Sequence, residues 1–190
     1  NAIPSLPRIL DARSPDLKIT RVLQEPVVFT LAEVKELLAA ATGRTRLYIL
    51  LMLNCGMTQK DISDLRVSEV DWEKGRIIRR RSKTATCRNV PVVDYKIWPE
   101  TLRLLKQERA ADSQDRVLLN HNGGFLWFAE CGDNGKLRKN DNIKNAFERL
   151  RAAKDIKKSL KSFKKTSASL LRGNPRFESV RDLFLDHAPT

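Results

Sequence analysis

Apolar residues first fall into a regular period at Val34, Leu37, Leu38 and Ala41, the spacing of one helix face. Thr30-Leu-Ala-Glu33 precedes them as a capping box. Its threonine accepts from the amide three residues on, and its glutamate reaches back. A second helix is predicted through Leu47 to Leu53. It is apolar nearly all round, which places it at the centre of a core, and Gly56 ends it. Thr58 then stands at the cap of a third helix over Gln59–Arg66. Asp61 is its third position, and Ile62 and Leu65 face inward.

The period changes between Arg76 and Val93, where two short β-rich runs flank a polar, basic turn. Pro91 marks the second run as an edge strand. Helical patterns return at about residues 97–111, 142–153, 160–171 and 178–187. Residues 117–128, with Gly123-Gly124, read as a loop with a short extended piece. The order is helices, a small sheet, then helices, so the predicted fold class is mainly α with a small antiparallel β-sheet, an α+β domain. Residues 1–26 carry Pro4, Pro7, Pro15 and Pro26 and no sustained period, so they read as a linker or arm. Residues 27–190 form the domain. The chain opens on Asn1 instead of methionine, and the expectation is a piece of a longer protein.

Composition narrows the class of partner. A hydrophobic fraction of 41% suffices for a packed core. The net charge of +13 over 190 residues suits a polyanion. Cys55, Cys87 and Cys131 are odd in number and none is spaced C-x-x-C. Neither a disulfide framework nor a zinc site follows, and reduced thiols, no metal and no cofactor are expected. No apolar run suffices for a bilayer and no signal segment opens the chain. The expected location is the cytoplasm, on the nucleoid if the source is prokaryotic.

Asn54-Cys-Gly-Met-Thr-Gln-Lys-Asp-Ile-Ser-Asp-Leu-Arg66 resembles the box that opens the active site of tyrosine recombinases, the phage-integrase family. That box usually reads T-G-x-R-x-x-E, then L after two or three residues. Gly56, Asp61 and Leu65 match its frame, and Thr58 takes the place of the arginine that clamps the scissile phosphate. Lys83, in Arg-Arg-Ser-Lys-Thr, takes the place of the family's hairpin lysine, which protonates the leaving 5′ oxygen. Asn89-Val-Pro-Val behind it resembles R-x-V-P-L. Lys161-Ser-Phe-Lys-Lys-Thr166 resembles H-x-x-R-H-T. Lys161 stands at the histidine and Lys164 at the second clamp arginine, and the following Ser-Ala-Ser-Leu-Leu resembles the family's F-A-S-L-L. Val180-Arg-Asp-Leu-Phe-Leu-Asp-His187 resembles V-Q-x-L-L-G-H, with His187 at the residue that contacts the scissile phosphate. The nucleophilic tyrosine would fall beyond Thr190. Tyr48 and Tyr95 sit elsewhere.

The resemblance implies the tyrosine-recombinase catalytic-domain fold, double-stranded DNA as partner, and self-association on that DNA. It also implies a helical domain ahead of residue 27 and a 3′-phosphotyrosyl intermediate that needs neither metal nor nucleotide. Thr58, Lys83, Lys161, Lys164 and His187 become the candidate catalytic positions. Arg80, Arg81, Lys157, Lys158 and Lys165 become the candidate DNA contacts. Leu160, Phe163, Ser167, Leu170 and Leu171 would share one helix face and the lysines another, either a solvated face or a phosphate track. Taken singly, Lys83 is also what a solvated hairpin carries, and His187 what a helix end favours. Arginine gives a phosphate two parallel hydrogen bonds; Lys164 keeps the charge without the fork, and Thr58 keeps neither. Losing one such donor costs about 3–4 kcal/mol in the transition state.

Three functions stay open on sequence. One is site-specific DNA recombination and integration with impaired activity. The second is a recombinase-derived DNA-binding module without cleavage. The third is a basic helical RNA- or ribosome-binding protein, against which stands the lack of an aromatic platform or G-x-x-G loop.

Overall fold

The computed structural model describes residues 25–80, 92–111, 113–131 and 135–177, together with Val180 and Phe184. Three helices come first: α1 (Leu31–Ala40), α2 (Gly43–Cys55) and α3 (Gln59–Asp64). Strands β1 (Val70–Asp71), β2 (Arg76–Arg79) and β3 (Val93–Lys96) follow, then α4 (Pro99–Glu108). A hairpin of β4 (Trp127–Cys131) and β5 (Leu137–Asp141) leads into α5 (Asn142–Ala152) and α6 (Ser162–Arg172).

Both predicted capping boxes are present. Thr30 Oγ1 accepts from the Glu33 amide at 3.2 Å, while Glu33 Oε2 accepts from the Thr30 amide at 2.7 Å. The Thr58–Asp61 box opens α3 in the same way. Gly56 ends α2 at φ 58°, the left-handed conformation that costs glycine no Cβ clash. Every residue of α2 from Leu47 to Leu53 is buried. The helix is apolar all round because α4, α5 and α6 all pack against it. Pro99 sits in the first turn of α4, where its missing amide hydrogen removes no helix bond.

β1, β2 and β3 form one antiparallel sheet in that order, with Ile77 opposite Val70 on one side and Tyr95 on the other. Asp71 shapes the turn between β1 and β2 by accepting from the amides of Glu73 and Lys74 at 3.2 and 2.9 Å. The incoming segment is held by aromatic packing. Phe29 stacks on Phe163 at 4.4 Å and meets Phe147 edge-on at 6.5 Å, and each burial contributes about 1.5–3 kcal/mol.

Three expectations need correction. The second β run was expected to end at Val93, but the strand begins there and runs to Lys96. The predicted turn and Pro91 lie outside the described residues. A second sheet, β4 with β5, was not predicted: Leu-Arg-Lys-Asn-Asp has no alternating apolar pattern, and the pairing rests on backbone bonds from Trp127↔Asp141 to Cys131↔Leu137. On α6 the buried residues are Ser162, Phe163 and Thr166, while Leu170 is 58% exposed. Leu170 and Leu171 line an apolar groove of about 820 Å³ between α1, β3 and α6. The 178–187 helix lies outside the described residues except for exposed Val180 and buried Phe184.

Candidate functional site

The box at residues 54–66 is closed upon itself. Thr58 Oγ1 donates to Asp61 Oδ2 at 2.7 Å and accepts from the Asp61 amide at 3.3 Å, and the Thr58 amide donates to the same carboxylate oxygen at 2.9 Å. Asp61 is only 3% exposed. The side chain at the expected arginine position is therefore committed to a helix cap. Lys60, two residues on, pairs with Asp64 at 2.5 Å and lies 5.2 Å from the Trp127 ring centroid.

Arg79 was missed by the sequence reading. It is the buried basic side chain among the described residues, at 4% exposure. Its Nη1 donates to the Asp61 carbonyl at 2.6 Å, and its Nε lies 3.7 Å from Glu69 Oε1. The strand leading toward the predicted hairpin is thus tied to the box helix. A signal existed: residues two apart on a strand share a face, so inward Ile77 puts Arg79 inward as well.

The lysine box forms the first turn of α6. Lys161 precedes the helix and is exposed, Lys164 is half-buried and Lys165 is exposed. Two side chains of α6 set its position. Thr166 Oγ1 accepts from the Phe29 amide at 2.9 Å and donates to the Ser162 carbonyl at 2.8 Å. Ser167 Oγ donates to the Leu53 carbonyl at 2.8 Å, across 114 residues of sequence. The lysine helix is thereby docked on the end of α2 that runs directly into Gly56 and Thr58.

The proposed DNA contacts differ from one another. Lys157 and Arg80 are exposed. Lys158 is half-buried; its Nζ donates to Glu33 Oε2 at 2.6 Å and sits 5.7 Å from the Phe29 ring centroid. That bond from Lys158, helped by the Thr30 amide, holds the Glu33 carboxyl below the usual carboxylate range. Lys83, Arg81 and His187 lie outside the described residues, as does Cys87.

Neither tyrosine presents a nucleophile. Tyr48 is 3% exposed, and burial pushes its phenol up to about 12. Tyr95 is 8% exposed. Cys55 is buried and Cys131 exposed. Among the described residues no three His, Cys, Asp or Glu side chains gather as a metal site, and no helix is long and apolar enough to cross a membrane.

Comparison with known proteins bears on the family and the fold. The family model described as the phage integrase family matches residues 28–172. No curated protein matches the chain in sequence. Among solved structures, XerA recombinase superposes with a TM-score of 0.62 at 19% identity, over 86% of this chain and 57% of that one. A lambda integrase dimer bound to a COC′ core site gives 0.63 at 14% identity, over 92% and 62%. The Tn1549 transposon integrase in complex with transposon right-end DNA gives 0.60 at 13% identity, over 90% and 61%. At these identities the likeness is one of fold. This chain spans about three-fifths of the length of each of these structures.

Proposed function

The chain belongs to the phage integrase family, and from that premise we propose that it is the catalytic-domain portion of a site-specific DNA recombinase with weakened strand-cleavage chemistry. The observation that carries this reading is the Ser167–Leu53 bond, which sets the lysine helix against the end of the arginine-type box. The partner is double-stranded DNA, held chiefly through phosphates by exposed Lys157, Lys161 and Lys165. Lys164 supplies charge to a non-bridging phosphate oxygen without an arginine fork. Lys83 and His187 keep the roles their boxes imply: proton donor to the leaving 5′ oxygen and contact to the scissile phosphate. A tyrosine would attack the phosphate to form a 3′-phosphotyrosyl bond, with release of a 5′ hydroxyl. Copies of the protein assemble on the DNA, and it acts in the cytoplasm, on the nucleoid if the cell is prokaryotic.

A second reading is a DNA-binding module that does not cleave. The commitment of the Thr58 hydroxyl to its cap favours it, since no cation stands at that position. A suicide substrate separates the two. The protein, with whatever sequence naturally follows Thr190, is incubated with duplex nicked beside the cleavage point, and covalent adduct is counted. The first reading expects slow adduct formation that rises in a Thr58→Arg, Lys164→Arg double variant. No adduct in either protein, with DNA binding intact, selects the second.

A further inference from the structure

The β4–β5 ribbon carries none of the candidate catalytic residues, yet it is rooted on the same box. Trp127 is clamped to α3 through its backbone: its amide donates to Ser63 Oγ at 3.0 Å, and that hydroxyl donates to the Trp127 carbonyl at 3.4 Å. Leu126 just before it is buried at 1% exposure. The Asn142 amide, just past β5, donates to the Leu126 carbonyl at 2.9 Å and closes the root. Ser167 therefore grips Leu53 on one side of the Gly56–Thr58 turn, and Trp127 grips Ser63 on the other.

Beyond the root the ribbon is exposed to solvent. Ala129, Glu130, Cys131 and residues 135–139 are all exposed, and Leu137 is 70% exposed. A two-stranded ribbon gains little stability by itself in water. This one is paired along its full five-residue register, and α3 is its main partner among the described residues. The outer half of β5 and the residue before it carry Lys136, Arg138 and Lys139. Residues 129–139 also hold two acids: Glu130, opposite Arg138, and Asp133. Arg138 and Lys139 point to opposite faces of the ribbon, so each face carries a cation. Two strands about 4.8 Å apart fit a B-DNA major groove about 12 Å wide, whose walls are phosphates.

We propose that the β4–β5 ribbon is a second duplex-DNA contact, which reaches phosphates outside the segment held at α6 through Arg138 and Lys139, with Lys136 at its tip. The proposal rests on the duplex-DNA reading above and extends it: the footprint is longer than α6 alone would give, and its outer part is independent of the lysine helix.

The test measures affinity for two duplexes that share a centre, one short and one extended by about one helical turn, across a salt series. The proteins are the natural one, an Arg138→Ala, Lys139→Ala variant, an Arg138→Lys variant, and a Lys161→Ala, Lys165→Ala variant. Thermal melting confirms that each is folded. The natural protein is expected to bind the longer duplex more tightly. The ribbon variant loses that gain, and its slope of log K against log salt falls by about 2 on the longer duplex only. Arg138→Lys keeps the gain, because a phosphate track needs the charge and not the fork. A ribbon variant that keeps the gain and the slope, while the α6 variant weakens both duplexes, overturns the ribbon contact and leaves the DNA reading standing. A natural protein that binds neither duplex overturns both.

Discussion

Helices α3 and α6 both carry boxes that the sequence resemblance sets against charged positions of the family, and they meet the same end of α2 with opposite surfaces. α3 is turned inward. Thr58 and Asp61 satisfy each other, and Arg79 reaches in from β2 to hold the Asp61 carbonyl. α6 presents Lys161 and Lys165 to solvent and is anchored from below by Phe163, Thr166 and Ser167. A site position that loses its charged residue can be taken over by a group that serves the helix cap. One that exchanges arginine for lysine keeps its attraction for phosphate and loses only geometry. The two helices should therefore answer mutation differently: α3 through stability, α6 through binding.

The largest effect should fall on the inward side. Arg79→Met leaves Glu69 without its buried partner and removes the bond to the Asp61 carbonyl. The expected loss is about 3 kcal/mol, read as a shift of the urea midpoint. An unshifted midpoint would show that Arg79 does not brace α3.

Thr58→Arg should cost about 1 kcal/mol through loss of the cap, with helix and sheet content unchanged by circular dichroism. A Thr58→Ser variant retains the hydroxyl and should stay near natural stability. If both lose the same amount, the cap is not what Thr58 provides.

A smaller effect concerns the segment that leads into α6, where Lys158 meets Glu33. The Glu33 carboxyl is held below its ordinary value of 4.5 in the folded state, chiefly by Lys158. A depressed carboxylate stabilises the fold at pH above its unfolded value, and that contribution disappears as pH falls through the folded value. Stability should therefore drop as pH is lowered below about 4.5, and Glu33→Gln should flatten that part of the curve. A Glu33→Gln curve parallel to the natural one would break the assignment.

The smallest stability effect belongs to Lys161→Ala with Lys165→Ala, which should change unfolding free energy by less than about 0.5 kcal/mol. The same pair should lower DNA affinity across unrelated sequences and reduce the salt slope by about 2. A large stability loss here would mean that α6 is as inward-facing as α3.

The legible parts of this chain are local. Thr30 with Glu33, Thr58 with Asp61, and Gly56 at the end of α2 each act within a few residues, so their caps could be read directly. The unbroken apolar run of Leu47–Leu53 announced a central helix because no other placement buries all its faces. The order of the boxes, read as a resemblance, carried the family. The rest was set at long range. Lys158 read as a candidate DNA contact, and the fold pairs it instead with Glu33 across 125 residues. The β4–β5 pairing is made by backbone groups that every residue carries, so polar strands left no pattern to find. Arg79 alternated with Ile77 in plain view, but only the packed sheet shows which carbonyl receives its guanidinium. Caps and periods are decided by a residue and its near neighbours, and so belong to the sequence. Which charges face solvent and which brace the interior depends on partners that only chain closure supplies, and so belongs to the tertiary structure.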